Sequence, residues 1–183
     1  GGKNVIGHRY NDFSGVSESI SKNPEAYVVL FSAGCSYSSK IASLISDKTK
    51  LIFLSHITSS TALRFPVESI IKEATKRGIL TFIDGAHAPG QIPLDLTSMD
   101  VDFYTGACHK WMMAPKGCSF LYAHKSVQTW CDPMIVSWGY KALKPSHSTF
   151  LDYNQMIGTR DFSAFLTIPA CIQFMEENNW KEV

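Results

Sequence analysis

The chain has 183 residues, of which 45% are apolar, 12% aromatic and 18% charged, and 17 lysines and arginines stand against 16 aspartates and glutamates. At roughly 100 to 200 residues per domain this predicts one unit with apolar content enough for a core without disulfide or metal staples. A net charge of +1, with both signs interspersed, excludes the electrostatic footprint of a nucleic-acid or membrane-surface binder and leaves a small molecule as the expected partner.

The longest apolar runs, such as Tyr27 to Phe31 and Leu51 to Leu54, fall far short of the roughly 18 to 20 residues that span a bilayer. The opening Gly1-Gly2-Lys3-Asn4 has neither the charged nor the apolar region of a secretory signal. Five cysteines, Cys35, Cys108, Cys118, Cys131 and Cys171, are scattered without a Cys-x-x-Cys pair. An odd, dispersed set suggests neither a disulfide framework nor a zinc ribbon, and the expected setting is reducing and cytoplasmic.

In chain order, Tyr27 to Phe31 reads as a strand and Ser38 to Ile45 as a helix, with Ile41, Leu44 and Ile45 at helical spacing. Leu51 to Ser55 has the continuous apolar character of a central parallel strand buried on both faces. Pro66 opens a helix carrying Val67, Ile70, Ile71 and Ala74 at three-to-four spacing, and Gly78 ends it. Ile79 to Ile83 forms the next strand and delivers Asp84 to its carboxyl end, where open α/β sheets gather ligand-binding groups. Val101 to Tyr104 delivers Gly106 to Lys110 to the same rim.

Ser119 to Ala123 reads as a further strand and Ser126 to Trp130 as a short helix. Cys131 to Met156, rich in turn residues and aromatics, reads as a long functional loop. Asp161 caps a last helix in which Pro169 imposes a kink or a late start. This alternation predicts an α/β fold with a mostly parallel sheet and helices on both faces.

Phosphate motifs are a first test of chemistry, and neither Gly-x-Gly-x-x-Gly after a strand nor Gly-x-x-x-x-Gly-Lys-Ser/Thr occurs. A metal site at Asp84, His87 and His109 lacks the local ligand pairs that metal chemistry favours. Cys108 beside His109 invites a nucleophile reading, but adjacent residues on extended backbone point apart. Lys110 lies among bulky, mostly apolar neighbours in Ala107-Cys108-His109-Lys110-Trp111-Met112-Met113-Ala114-Pro115. Desolvation disfavours an ammonium ion, which suits an amine that adds to an aldehyde, although an isolated lysine in such a setting also snorkels to solvent.

The segment Ile83-Asp84-Gly85-Ala86-His87-Ala88-Pro89-Gly90-Gln91, the segment Asp102 to Trp111, and Ala114-Pro115-Lys116-Gly117 together resemble the cofactor heart of class V aminotransferase-fold enzymes. The likeness is greatest to the isopenicillin N epimerase-like subgroup and more distant to cysteine desulfurases. It runs from Leu51 through Thr58 to Gly158-Thr159-Arg160-Asp161. It implies the large domain of a fold-type-I enzyme that binds pyridoxal 5'-phosphate and acts on an amino acid or amine.

Residue by residue, the resemblance implies that Lys110 forms the Schiff base and that Asp84 pairs with the pyridine nitrogen, keeping the ring an electron sink. His87 stands where it can donate to the cofactor's phenolic oxygen. His109 matches a phosphate contact, and Thr58 matches a position near the ring or substrate, where a turn-forming role is the alternative. Gly158 and Thr159 resemble a loop that reaches the phosphate of a neighbouring subunit in a homodimer. Arg160 suits a substrate carboxylate, with a structural ion pair as its alternative.

Against the family pattern, residues 1–183 are expected to be the central part of the large domain, since an N-terminal phosphate-binding segment and a C-terminal small domain are not recognisable. The reaction stays open among epimerisation, transamination, elimination and desulfuration, which share a stabilised carbanion. The competing expectation is a catalytically incomplete remnant whose role is protein association.

Overall fold

The computed structural model describes residues 28–31 and 45–182. The expected helix over Ser38 to Ile45 therefore lies, but for its last residue, outside the described residues. Five strands form one sheet in the order β1 (Val28–Phe31), β2 (Leu51–Ser55), β3 (Leu80–Asp84), β4 (Phe103–Ala107) and β5 (Ser119–Ala123). β1 to β4 run parallel, and β5 returns antiparallel to β4. The fold class expected from the sequence is the fold observed.

Burial alternates along the central strands instead of being continuous. In β2, Ile52 and Leu54 are fully buried while Leu51, Phe53 and Ser55 are half-buried, and β3 repeats the pattern with Thr81 and Ile83 buried. The expectation of β2 buried on both faces is thus corrected among the described residues: one face is buried and the other half-buried. Helix α1 (Val67–Lys76) covers the dense face with Val67, Ile70, Ile71 and Ala74. Burying Val67, Ile70 or Ile71 stabilises the fold by roughly 1.5–3 kcal/mol each, and the single methyl of Ala74 by less.

Pro66 is the residue before α1 and not its first helical residue, and Gly78 follows the helix in a left-handed conformation with φ 65°. A short helix α2 (Leu96–Met99), capped by the Asp95 carboxylate, leads toward β4. β4 begins two residues later than expected because Asp102 is spent on locking the strands. Its Oδ2 accepts hydrogen bonds from both Thr81 N (2.8 Å) and Thr81 Oγ1 (3.0 Å). That lock places Thr105 opposite Asp84 across the parallel pair.

After β5 comes a 3-10 turn (Gln128–Trp130) in place of the helix expected over Ser126 to Trp130. The long segment that follows holds one helix, α3 (Thr149–Asn154), capped by Ser148. The chain closes with α4 (Ser163–Leu166), α5 (Ile168–Glu177) and a 3-10 turn (Trp180–Glu182). Pro169 sits in the first turn of α5, so the late start is the outcome realised. The Asp161 carboxylate accepts from Ser163 N (2.8 Å) at the head of α4.

Candidate active site

The carboxyl ends of β2, β3 and β4 meet at one rim. Asp84 is the last residue of β3; its carbonyl accepts from His56 N (2.8 Å), just past β2, and Gly85 N donates to Thr105 O (2.9 Å) of β4. The chain then turns sharply, with Ala86 N donating to Asp84 Oδ1 (3.0 Å). One carboxylate oxygen of Asp84 is thereby committed to holding the loop, a local use typical of aspartate in turns.

The loop between β4 and β5 carries Lys110. It is pinched at its base by Cys108 N donating to Cys118 O (3.2 Å) and Ala114 N donating to Cys108 O (3.0 Å), and it turns through Met113 N to Lys110 O (2.9 Å). The two loops meet through side chains and backbone alike. Lys110 Nζ stands 2.9 Å from His87 Nε2, and Trp111 Nε1 donates to His87 Nδ1 at 3.4 Å. Gly90, with φ 81°, lies so close that a Cβ there would sit 2.7 Å from the carbonyl of Trp111. Only glycine accepts both that conformation and that approach. Trp180 Nε1 donates to Gly90 O (2.9 Å), tying the last turn of the chain to the same loop.

Beneath the rim lies a buried polar pair that sequence reasoning did not single out. His56 Nδ1 is 2.9 Å from Tyr104 Oη, and both side chains are fully buried. A Cβ on Gly85 would overlap the Tyr104 ring, so the glycine after Asp84 is what lets the chain pass over the tyrosine. Burial holds His56 below its ordinary value, reinforced by Arg64 and opposed by Glu68. Burial first, and then Asp84 and Glu68, push the Tyr104 hydroxyl well up. Both groups are neutral, and the pair props the Asp84 turn without adding a charge. His56 follows β2 within the motif Ser55-His56-Ile57-Thr58, but its partner stands 48 positions away and no local signal joins them.

Of the residues expected at the site, Asp84, His87 and Lys110 come together. Burial, and after it Lys110, lowers His87 below its ordinary value, while Asp84 opposes the shift. The apolar shell read around Lys110 is corrected: the lysine is half-buried, and Trp111 and Met113 are exposed at 46% and 45%. His109 is exposed, and its Nδ1 donates to Cys118 O (3.0 Å). A neutral His109 thus presents Nε2 as an acceptor, and only the protonated ring can donate from Nε2 to a phosphate.

Thr58 is buried and committed to its own loop: its Oγ1 accepts from Leu63 N (2.9 Å) and pairs with Thr61 Oγ1 (2.6 Å). These bonds are the turn-forming role weighed as the alternative for Thr58. Gly158 has φ 128° and precedes exposed Thr159 and Arg160. Arg160 lies over the rings of Phe162 and Phe165, 5.5 and 4.9 Å from their centroids. The ion pair weighed as its alternative is not present among the described residues.

An amine, a carboxylate and an imidazole gathered at the strand ends of an α/β sheet suit a pyridoxal-phosphate site, in which a lysine holds the aldehyde and an acid faces the pyridine nitrogen. The sequence pattern of the Aminotransferase class-V family matches residues 23–183, and the chain belongs to that family, whose cofactor is pyridoxal 5'-phosphate. It is 39% identical over 136 residues to isopenicillin N epimerase of Amycolatopsis lactamdurans, covering 69% of this chain and 34% of that protein. A putative L-cysteine desulfhydrase 1 of Oryza sativa subsp. japonica is 33% identical over 130 residues, covering 70% of this chain and 26% of that protein.

The chain thus spans about a third of the length of the epimerase. Among solved structures, the cystine C-S lyase C-DES in complex with its reaction product cysteine persulfide superposes with a TM-score of 0.67 at 24% identity. The match covers 76% of this chain and 39% of that one. Cysteine desulfurase CsdA from Escherichia coli gives 0.65 at 19% identity, covering 75% and 35%. These likenesses show the fold.

Proposed function

We propose that this chain supplies the attachment lysine and the ring-facing groups of a pyridoxal-phosphate enzyme acting on an amino acid or amine. The observation that carries the reading is the convergence of Lys110, His87 and Asp84 from two loops at one sheet rim. The donor set fits the group. A primary amine matches its aldehyde, a carboxylate matches its pyridine nitrogen, and an imidazole N–H matches its phenolic oxygen. When bound, the cofactor supplies an electron-accepting ring that stabilises charge left at a substrate's α-carbon.

The chain's own residues then have distinct tasks. Lys110 would hold the cofactor through its amine and would serve as the group that moves a proton at the substrate's α-carbon. The Asp84 oxygen not engaged by Ala86 N keeps the pyridine nitrogen protonated. His87 orients the ring, and His109 is a phosphate contact when protonated at both nitrogens. Thr58 acts through the shape of its loop. Arg160, stacked on Phe162 and Phe165, is held by its rings with its donors left for a carboxylate. The relatives named an isopenicillin N epimerase and a putative L-cysteine desulfhydrase support epimerisation and elimination among the four reactions left open.

A homodimer in which Gly158 and Thr159 reach the partner's phosphate belongs to the same reading. It draws on exposed Trp130, Met134, Ile135, Val136, Trp138 and Leu143 in the preceding segment. That surface also favours the alternative of a catalytically silent chain whose role is association. The test is the absorbance of the full-length protein with added pyridoxal phosphate. A visible band that Lys110→Ala abolishes supports the enzyme reading, and unchanged free-cofactor absorbance in both supports the alternative.

A further inference from the structure

We infer that Trp180 is a positioning residue for the rim: its indole N–H holds the Gly90 carbonyl and so seats the loop that carries His87 against the loop that carries Lys110. The inference rests on the reading of this rim as the cofactor site. Its warrant is how the two loops meet. A Cβ on Gly90 would stand 2.7 Å from the Trp111 carbonyl and 2.8 Å from Met112 N, so the two backbones are in contact. No backbone hydrogen bond joins residues 86–92 to residues 109–114 among the described residues. Ala88 N to Gly85 O (2.9 Å), Gln91 N to Ala88 O (3.0 Å) and Ile92 N to Ala88 O (3.1 Å) fix the shape of the first loop from within. Buried Ala88 roots its middle in the core, but Gly90 lies beyond that anchor, and its seating falls to groups outside the loop.

Trp180 supplies that outside bond. An indole N–H only donates and a carbonyl only accepts, so the 2.9 Å contact has one sense whatever the charges nearby. The chain bends back to deliver it. Just past α5, Asn179 takes the left-handed conformation with φ 49°, which asparagine adopts readily at helix ends, and Glu182 N donates to Asn179 O (2.9 Å) to close the turn. The half-buried indole packs on α5 through Phe174, with ring centroids 6.5 Å apart. Gly90, Met112 and Trp180 line the same groove, so both loops and the last turn meet at one place. Without the indole N–H, Gly90 is free to withdraw from Trp111, and the contact that orders both loops is lost on both sides.

The test is amide hydrogen exchange of the full-length protein without cofactor, carrying 3-benzothienylalanine at position 180, which replaces the N–H by sulfur in a bicycle of the same outline. Exchange at Gln91 and Ile92 should quicken by about three- to tenfold, the scale of one lost hydrogen bond. The diagnostic amides are Met113 and Ala114, which bond within the Lys110 loop and not to Trp180, and they should quicken by a similar factor. Exchange in α1 and β2 should stay unchanged, which a general loss of stability would not allow. 5-Fluorotryptophan at position 180 keeps the N–H and should leave every rate as in the unaltered protein. With pyridoxal phosphate added, the apparent Kd of the benzothienyl protein should rise by about three- to tenfold while its absorbance at saturation is retained. Met113 and Ala114 unmoved, α1 and β2 quickened in step, a fluorotryptophan protein that exchanges like the benzothienyl one, or an unchanged Kd overturns the inference. Exchange is read without cofactor, so failure of pyridoxal phosphate to attach in the unaltered protein would count against the proposed function alone.

Discussion

The strand-end rim and the segment from Cys131 to Arg160 differ in how their side chains are satisfied. At the rim the polar side chains are tied to one another and to the loops: Asp84 Oδ1 accepts from Ala86 N, His87 meets Lys110 and Trp111, and His56 Nδ1 meets Tyr104 below. In the segment, Trp138 is 82% exposed and Leu143 fully so, and the single helix is six residues long. A preorganised polar rim is what positions groups for chemistry. An open apolar surface is what a partner covers. The two regions therefore respond to different perturbations.

The largest effect expected is at the rim. Asp84→Ala should lower turnover of the full-length enzyme by about a hundredfold or more, the scale of a lost preorganised electrostatic partner. Asp84→Glu should be milder, and both should fold. Steady-state kinetics beside thermal unfolding check this, and intact turnover in Asp84→Ala would remove the ring-facing role. Next is Gly85→Ala, which drives a methyl group into the buried Tyr104 ring. It should destabilise by about 1–3 kcal/mol, the usual cost of overpacking, measured by denaturant unfolding.

A smaller effect is expected in pH dependence. Burial holds folded His56 below its ordinary 6.5. As pH falls below 6.5 the unfolded chain takes up a proton before the folded one does, so the stability present above 6.5 is lost on acidification toward the folded value. His56→Gln, which can still bond Tyr104, should flatten the stability-against-pH curve in that acid window. Smallest of all, Trp138→Ser and Leu143→Ser should change unfolding free energy by no more than about 0.5 kcal/mol, because neither side chain is buried. The same pair should weaken self-association in sedimentation equilibrium, which would sharpen the contrast; a large loss of fold stability would break it.

What was legible in the sequence follows the range of the interactions. The bounds of β2 and β5 are those of their apolar runs, because burial of a short run is a local signal. Asp84 and Lys110 were placed by strand ends, which hydrophobic patterning locates to within a few residues. β4 was displaced because Asp102, read as strand, spends its carboxylate on Thr81 across the sheet. The helix at Thr149–Asn154 was overlooked among aromatics and turn residues, although Ser148 is a good cap. The His56–Tyr104 prop and the Trp111–His87 bond join residues 48 and 24 positions apart, and no periodicity encodes such pairs.

The central claim is that Lys110 is the amine that takes the cofactor. It is tested most directly by reducing the full-length protein with borohydride in the presence of pyridoxal phosphate and mapping the modified peptide by mass spectrometry. The account predicts a single phosphopyridoxyl group on Lys110, absent in Lys110→Ala. Labelling at Lys116 or another lysine, with Lys110 unmodified, would contradict it.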